Sequence, residues 1–62
     1  MKKIAIKNIK TKFQAQEIAI NWQMWQSAQI LSYKDCISWA EYFREIGKKF
    51  NLIKEFKENA IL

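Results

Sequence analysis

Residues 32–51 read SYKDCISWAEYFREIGKKFN, and this stretch decides the fold. Projected at about 100° per residue, its apolar side chains lie on one wide face of a helix. That face comprises Cys36, Trp39, Ala40, Phe43, Ile46, Gly47 and Phe50. The opposite side is filled by charged residues. The stretch therefore predicts an amphipathic helix over about 33–50, in which Gly47 lies on the apolar side and allows close packing.

Helix-capping residues mark where this helix and an earlier one begin. Ser32 followed by Asp35 resembles a capping box, in which the hydroxyl accepts from a backbone N–H three residues later. Thr11 followed by Gln14 is a second such box. Asn51 suits the left-handed residue that follows a helix end. Both ends of the second helix and the start of the first are therefore fixed by local chemistry.

The remaining pattern predicts two further helices. One runs over about 12–30, and a short one runs over about 52–59. A chain with no proline and one glycine favours helices over a turn-rich sheet. The connection between the two long helices is short, which makes them antiparallel neighbours. We expect one all-α domain over residues 11–62: an antiparallel helical hairpin plus a short third helix.

A basic segment precedes this domain. Residues 1–12 contain no acid and five lysines: Lys2, Lys3, Lys7, Lys10 and Lys12. The segment alternates weakly, but a lone strand has nothing to pair with inside this chain. We interpret residues 1–10 as a basic arm that is flexible or loosely docked. The alternative is a short strand that pairs across a dimer or with the sheet edge of a partner.

The first helix carries two apolar stripes instead of one. Phe13, Ile20, Met24 and Leu31 form one stripe, and a second stripe is rotated from it by roughly 150° on the same projection. This second stripe comprises Ala15, Ile18, Trp22 and Trp25. One stripe can pack on the second helix. The other is covered by the third helix and the chain ends, or it meets another protein chain.

We favour the second stripe as the protein interface, formed with a foreign protein or a second copy of this chain. Interface cores are depleted in charge and enriched in aromatic residues, as this helix is. Tryptophan is also enriched among the residues that dominate binding energy. Ala15, Ile18, Trp22 and Trp25 are therefore the interface candidates, and a symmetric pair of hairpins would make a four-helix bundle.

The chemistry-bearing residues argue against an enzyme. The chain has no histidine, the commonest general base, and its single cysteine can form neither an internal disulfide nor a zinc site. Cys36 lies on the apolar face of the second helix, where filling the core is the better interpretation than acting as a nucleophile. We expect no cofactor, no metal and no small-molecule substrate. The missing disulfide framework fits a cytoplasmic protein.

Two other functions compete with protein binding. The five lysines make contacts with phosphates conceivable, so a non-specific nucleic-acid-binding accessory protein is the first alternative. A membrane-active basic peptide is the second, since short basic chains rich in tryptophan include such agents. A membrane span is not expected, because the uncharged run Ile18 to Tyr33 is shorter than a span and contains several amides.

The C-terminal half resembles small uncharacterised proteins encoded by bacteriophages and plasmids. The resemblance covers residues 32–61 and rests on Ser32-Tyr33, Trp39, Tyr42-Phe43, Gly47-Lys48 and Glu55-Phe56-Lys57-Glu58-Asn59-Ala60-Ile61. Ala60 departs from the pattern, which has glycine there. The resemblance implies an origin on a mobile element, and by analogy with that class a host or defence protein as the binding partner.

Overall fold

The chain is all-α, as its sequence predicts. The computed structural model describes residues 2–62, and Met1, the first residue of the predicted arm, lies outside them. Three helices follow one another: α1 (Lys12–Gln26), α2 (Tyr33–Phe50) and α3 (Ile53–Glu58). Two contact pairs, α1 with α2 and α2 with α3, make a hairpin with a short third helix. Helix α1 ends at Gln26, about one turn earlier than predicted.

The predicted caps are present at the starts of both long helices. The Thr11 hydroxyl accepts from the Gln14 backbone N–H at 3.0 Å, and the Ser32 hydroxyl accepts from that of Asp35 at 3.1 Å. Asn51 ends α2 in the left-handed conformation, with φ 59° and ψ 46°. These bonds satisfy backbone groups that a helix end otherwise leaves unpaired.

The core is built around the aromatic residues of α2. Phe43 is fully buried, and its ring centroid lies 5.1 Å from that of Trp22 and 5.8 Å from that of Phe56. Trp39 packs against Trp22 and Trp25, each at a centroid distance of 6.0 Å. Aromatic side chains bury a large area each, so a few of them are enough to build the core of a short chain.

Gly47 is the point of closest approach between α2 and α3. A Cβ at this position would lie 2.6 Å from Cδ1 of Ile53 and 3.3 Å from its backbone nitrogen. The prediction that a missing side chain allows close packing here is therefore confirmed. Phe56, one turn along α3 from Ile53, is consequently brought into the core.

The N-terminal segment, residues 2–10, is docked on α2, which fits the docked interpretation of the arm and not the strand. Because it contributes to the core, the domain includes residues before the predicted boundary at residue 11. Ile9 is fully buried in the core. The Lys49 ammonium donates to the carbonyl oxygens of Ile6 at 2.9 Å and Ile9 at 3.1 Å, and the Tyr42 hydroxyl donates to that of Ile4 at 2.7 Å. The segment contains one 3₁₀ turn, Ile6–Asn8, and no strand.

Candidate protein-binding surface

The tryptophan stripe of α1 faces α2, so its prediction as the protein interface is wrong. Ala15 is fully buried, Ile18 is 7% exposed and Trp22 is 9% exposed. Trp25 is partly buried and packs against Trp39. The physical reason is the area that the two indoles bring, since burying them on the wide aromatic face of α2 removes the most apolar surface from water.

Three of the four residues of the other stripe stay open, whereas Leu31 lies beyond the end of α1 and packs against the core. Phe13 is 73% exposed, Ile20 is 56% exposed and Met24 is 69% exposed. Their spacings of seven and four residues place them on one side of the helix. Glu17 is exposed on the same side. We call this surface, formed by Phe13, Glu17, Ile20 and Met24, the α1 outer face.

A shallow groove runs along one edge of this face, between α1 and α3. Its volume is about 320 Å³, and it is lined by Phe13, Gln16, Glu17, Ile20 and Glu55. The side-chain amide of Gln16 donates to both carboxylate oxygens of Glu55, at 3.0 and 3.1 Å. These bonds connect the two helices and fix the wall that α3 contributes.

The groove carries charge of one sign only. Glu17 and Glu55 line it, and none of its lining residues is a lysine or arginine. The chain as a whole has a net charge of +5. The α1 outer face is therefore an apolar surface with an acidic edge on an otherwise basic protein.

Four of the five lysines proposed to contact nucleic acid lie on the docked N-terminal segment, and the fifth, Lys12, is the first residue of α1. The Lys3 ammonium donates to the Ser38 hydroxyl and lies 4.9 Å from the centre of the Trp39 ring. The Lys10 ammonium donates to the carbonyl oxygen of Lys7 at 3.1 Å. Lys2 and Lys12 are exposed. The core position of Trp39 leaves its ring unavailable for stacking on bases.

Cys36 is exposed, so the prediction that it fills the core is wrong. Trp25, close to the end of α1, lies opposite Trp39, and α1 ends at Gln26. No turn of α1 remains to cover Cys36, one turn before Trp39 on α2.

The hairpin end carries exposed apolar side chains that the sequence analysis did not single out. Ile30, Tyr33 and Ile37 are exposed there. The helical pattern extends α1 about one turn beyond its end at Gln26, so it does not show that the hairpin end is left uncovered.

Two further properties of residues 2–62 bear on the site. They contain no group of three or more histidine, cysteine, aspartate or glutamate side chains placed to hold a metal ion. None of their helices combines the length and the apolar character that crossing a bilayer requires.

Comparison with known proteins adds no assignment. No family model, curated protein or solved structure matches this chain. The resemblance to small phage and plasmid proteins stays a prediction.

Proposed function

We propose that this protein is a non-enzymatic binding protein that docks on another protein through the α1 outer face. One observation supports the proposal above all: three large apolar side chains, Phe13, Ile20 and Met24, are more than half exposed along one side of one helix. Contiguous exposed apolar surface on a small protein marks an interaction site. Aromatic residues and methionine are also the residues in which interface cores are enriched.

The energy available from this surface fits a specific but modest interaction. Fully burying a side chain such as Phe or Met contributes about 1.5–3 kcal/mol. Phe13 and Met24 retain most of their exposed area, so docking would recover most of that amount for each of them. Association also costs several kcal/mol of lost freedom, so contacts beyond these side chains are needed for tight binding.

The shape of the surface favours a helix as the docked element. A groove between two helices accepts the apolar side of a third helix, whose side chains enter at spacings of three and four residues. Phe13, Ile20 and Met24 are seven and four residues apart, so they line one side of α1 along which such a helix can lie. We extend the proposal to a cytoplasmic protein of a mobile element that binds a host or defence factor, which rests on the resemblance of residues 32–61.

Site-specific photocrosslinking tests this proposal. A benzoylphenylalanine in place of Phe13 would sit on the α1 outer face, and one in place of Tyr33, which is 83% exposed at the hairpin end, is the matched control. We expect a discrete adduct from position 13 and not from position 33. The purified partner should then bind the protein and lose affinity for the variant Phe13→Gln plus Met24→Gln. Equal adducts from both positions, or unchanged affinity of that variant, would contradict the proposal.

Nucleic-acid binding is the second candidate function. The observation that favours it is the docking of residues 2–10 on α2, which holds Lys7 and Lys10 on a fixed surface with Lys49 beside them. A gel shift at several salt concentrations tests it, since phosphate contacts give binding that weakens steeply with salt. Binding that is absent at low salt, or unchanged by Lys7→Glu plus Lys10→Glu, removes this candidate.

A further inference from the structure

The acidic edge of the α1 outer face gives information about what the face binds. Both charged residues that line the groove, Glu17 and Glu55, are acidic, although the chain carries a net charge of +5. Long-range electrostatics of the whole protein would attract acidic partners. At the groove itself the local charge has the opposite sign, so a partner seated there meets carboxylates first.

Glu55 is held in place without being neutralised. Its two carboxylate oxygens accept from the Gln16 amide at 3.0 and 3.1 Å, and this donor carries no charge. Glu55 is partly buried, whereas Glu17 is exposed. A cationic group arriving at Glu55 would therefore meet a carboxylate that is already ordered, which lowers the entropy lost on binding. Hydrogen bonds between cationic donors and carboxylates are also among the stronger ones.

A second copy of this chain that pairs symmetrically through α1 does not satisfy these charges. Antiparallel pairing of two α1 helices that brings Phe13 against Met24 of the other copy places Glu17 opposite residue 20. With about 1.5 Å of rise per residue, the two Glu17 side chains would then be offset by only about 4.5 Å along the helices. The twofold axis keeps both on the same side of the pair. Two carboxylates that face each other across the pair repel.

We infer that the α1 outer face accepts an amphipathic helix of another protein whose apolar side is flanked by lysine or arginine. This inference rests on the proposed function and specifies the chemistry of the partner. Aliphatic side chains of that helix pack on Phe13, Ile20 and Met24, and its basic flanks pair with Glu17 and Glu55. Phe13 and Met24 are eleven positions apart, about 16 Å along the helix, so the partner needs about three turns.

Two synthetic helices with the same leucine face and opposite flanks test the inference. One carries lysine on its flanks and the other glutamate, and fluorescence anisotropy of the labelled peptides gives both affinities. We expect the lysine peptide to bind at least about tenfold more tightly, against the net charge of the protein, with a difference that shrinks at high salt because exposed charges are screened. The variant Glu17→Lys plus Glu55→Lys should reverse the preference.

Control variants separate local charge from net charge and from folding. Glu41→Lys plus Glu45→Lys changes the net charge by the same amount on exposed positions of α2, and it should leave the preference for the lysine peptide in place. Glu55→Gln removes the charge while keeping the shape of the side chain, so it should weaken lysine-peptide binding even if the double lysine variant fails to fold. Far-UV circular dichroism checks the fold of each variant.

The outcomes distinguish failure of the inference from failure of the proposed function. Equal binding of both peptides, lost in Phe13→Gln plus Met24→Gln, overturns the charge requirement and leaves docking intact. Binding of neither peptide, or binding that this variant retains, overturns both. A dimer in sedimentation that Phe13→Gln dissociates makes a second copy the occupant, which overturns the inference and the foreign partner of the proposed function.

Discussion

Replacing Gly47 with alanine tests how tightly α3 is held against α2. In an isolated helix this change is favourable by about 1 kcal/mol, because glycine is a poor helix former. In this protein the new Cβ would lie 2.6 Å from Cδ1 of Ile53, whereas carbon atoms in good contact are about 3.5–4.0 Å apart. The backbone nitrogen of Ile53, at 3.3 Å, limits how far the new methyl group can be accommodated.

The two effects have opposite signs, and their sizes decide the outcome. Forcing an extra methyl group into a packed contact costs about 1–3 kcal/mol. Subtracting the helix-propensity gain of about 1 kcal/mol leaves Gly47→Ala destabilising by about 0–2 kcal/mol. In an Ile53→Ala background Cδ1 and Cγ1 are both gone, so the same change should be neutral or stabilising. The helix-propensity gain is the same in both backgrounds, so the expected coupling between the two positions is the packing strain of about 1–3 kcal/mol.

Urea unfolding of the four chains of this double-mutant cycle, followed by far-UV circular dichroism, measures the coupling. A coupling below about 0.5 kcal/mol, within the range of independent sites, would refute the close contact. Because α3 carries Glu55, the Gly47→Ala chain should also lose part of its preference for the lysine-flanked peptide. The Ile53→Ala chain is the control for loss of packing alone.

Four other changes test separate parts of the structure by the same unfolding measurement. Ile9→Ala should cost about 2–5 kcal/mol, as expected for a buried isoleucine; a cost no larger than that of the exposed Ile4→Ala would mean that the N-terminal segment is not docked. Trp22→Phe removes an indole N–H that is buried without a hydrogen-bond partner among residues 2–62, so the relief of about 1–3 kcal/mol should offset much of the lost packing; a loss as large as that of Trp22→Ala would contradict this account. Ala60→Gly should stabilise by about 0.5–1 kcal/mol, because φ of 60° strains alanine by about 1–2 kcal/mol and glycine gives back part of that in the unfolded chain; destabilisation would rule out the left-handed conformation. Burial raises the pKa of Tyr42 above its ordinary value of 10.0, so the unfolded chain loses this proton first and the free energy of unfolding should fall as pH rises above about 10. The variant Tyr42→Phe should show a smaller fall, and a pH profile identical to that of the unchanged protein would refute the raised pKa.

The fold could be predicted from the sequence where all the local signals of a helix agree. Helix α2 has a single apolar face, a serine cap and a left-handed asparagine, and all three agree on its limits. Gly47 on that face correctly indicated close packing. No glycine or proline marks the end of α1. The pattern therefore extends this helix about one turn beyond Gln26, where the structure has a loop.

The candidate site could not be predicted because its assignment depends on a choice between two stripes of similar length. The projection shows that α1 has both stripes, but not which of them faces α2. Trp22 and Phe43 pack edge to face in the structure, and this contact between distant positions settles the choice. Weighing the stripes by area would have favoured burying the two indoles, which bring more apolar surface than the stripe of Phe13, Ile20 and Met24.

The N-terminal segment shows a second limit of pattern reading. Ile9 stands between Asn8 and Lys10, so no periodicity marks it as a core residue. Ile9 is held in place because the Lys49 ammonium donates to the carbonyl oxygens of Ile6 and Ile9. These contacts join residues that are forty or more positions apart in the chain. Lys49 lies in the last turn of α2, where a cation suits the helix dipole, so its place in the sequence gives no indication of this contact.

The tilted arrangement of three indoles also gives the hairpin an optical signature. The ring of Trp39 on α2 lies 6.0 Å from each of the rings of Trp22 and Trp25 on α1, at interplanar angles of 43° and 52°. Electronic transitions of chromophores this close, and neither parallel nor perpendicular, mix into delocalised excited states. Their rotational strengths then form a couplet of opposite signs, and the part that involves Trp39 requires both helices. The protein thus carries a label-free reporter of whether α1 rests on α2, and α3 contributes no indole to it.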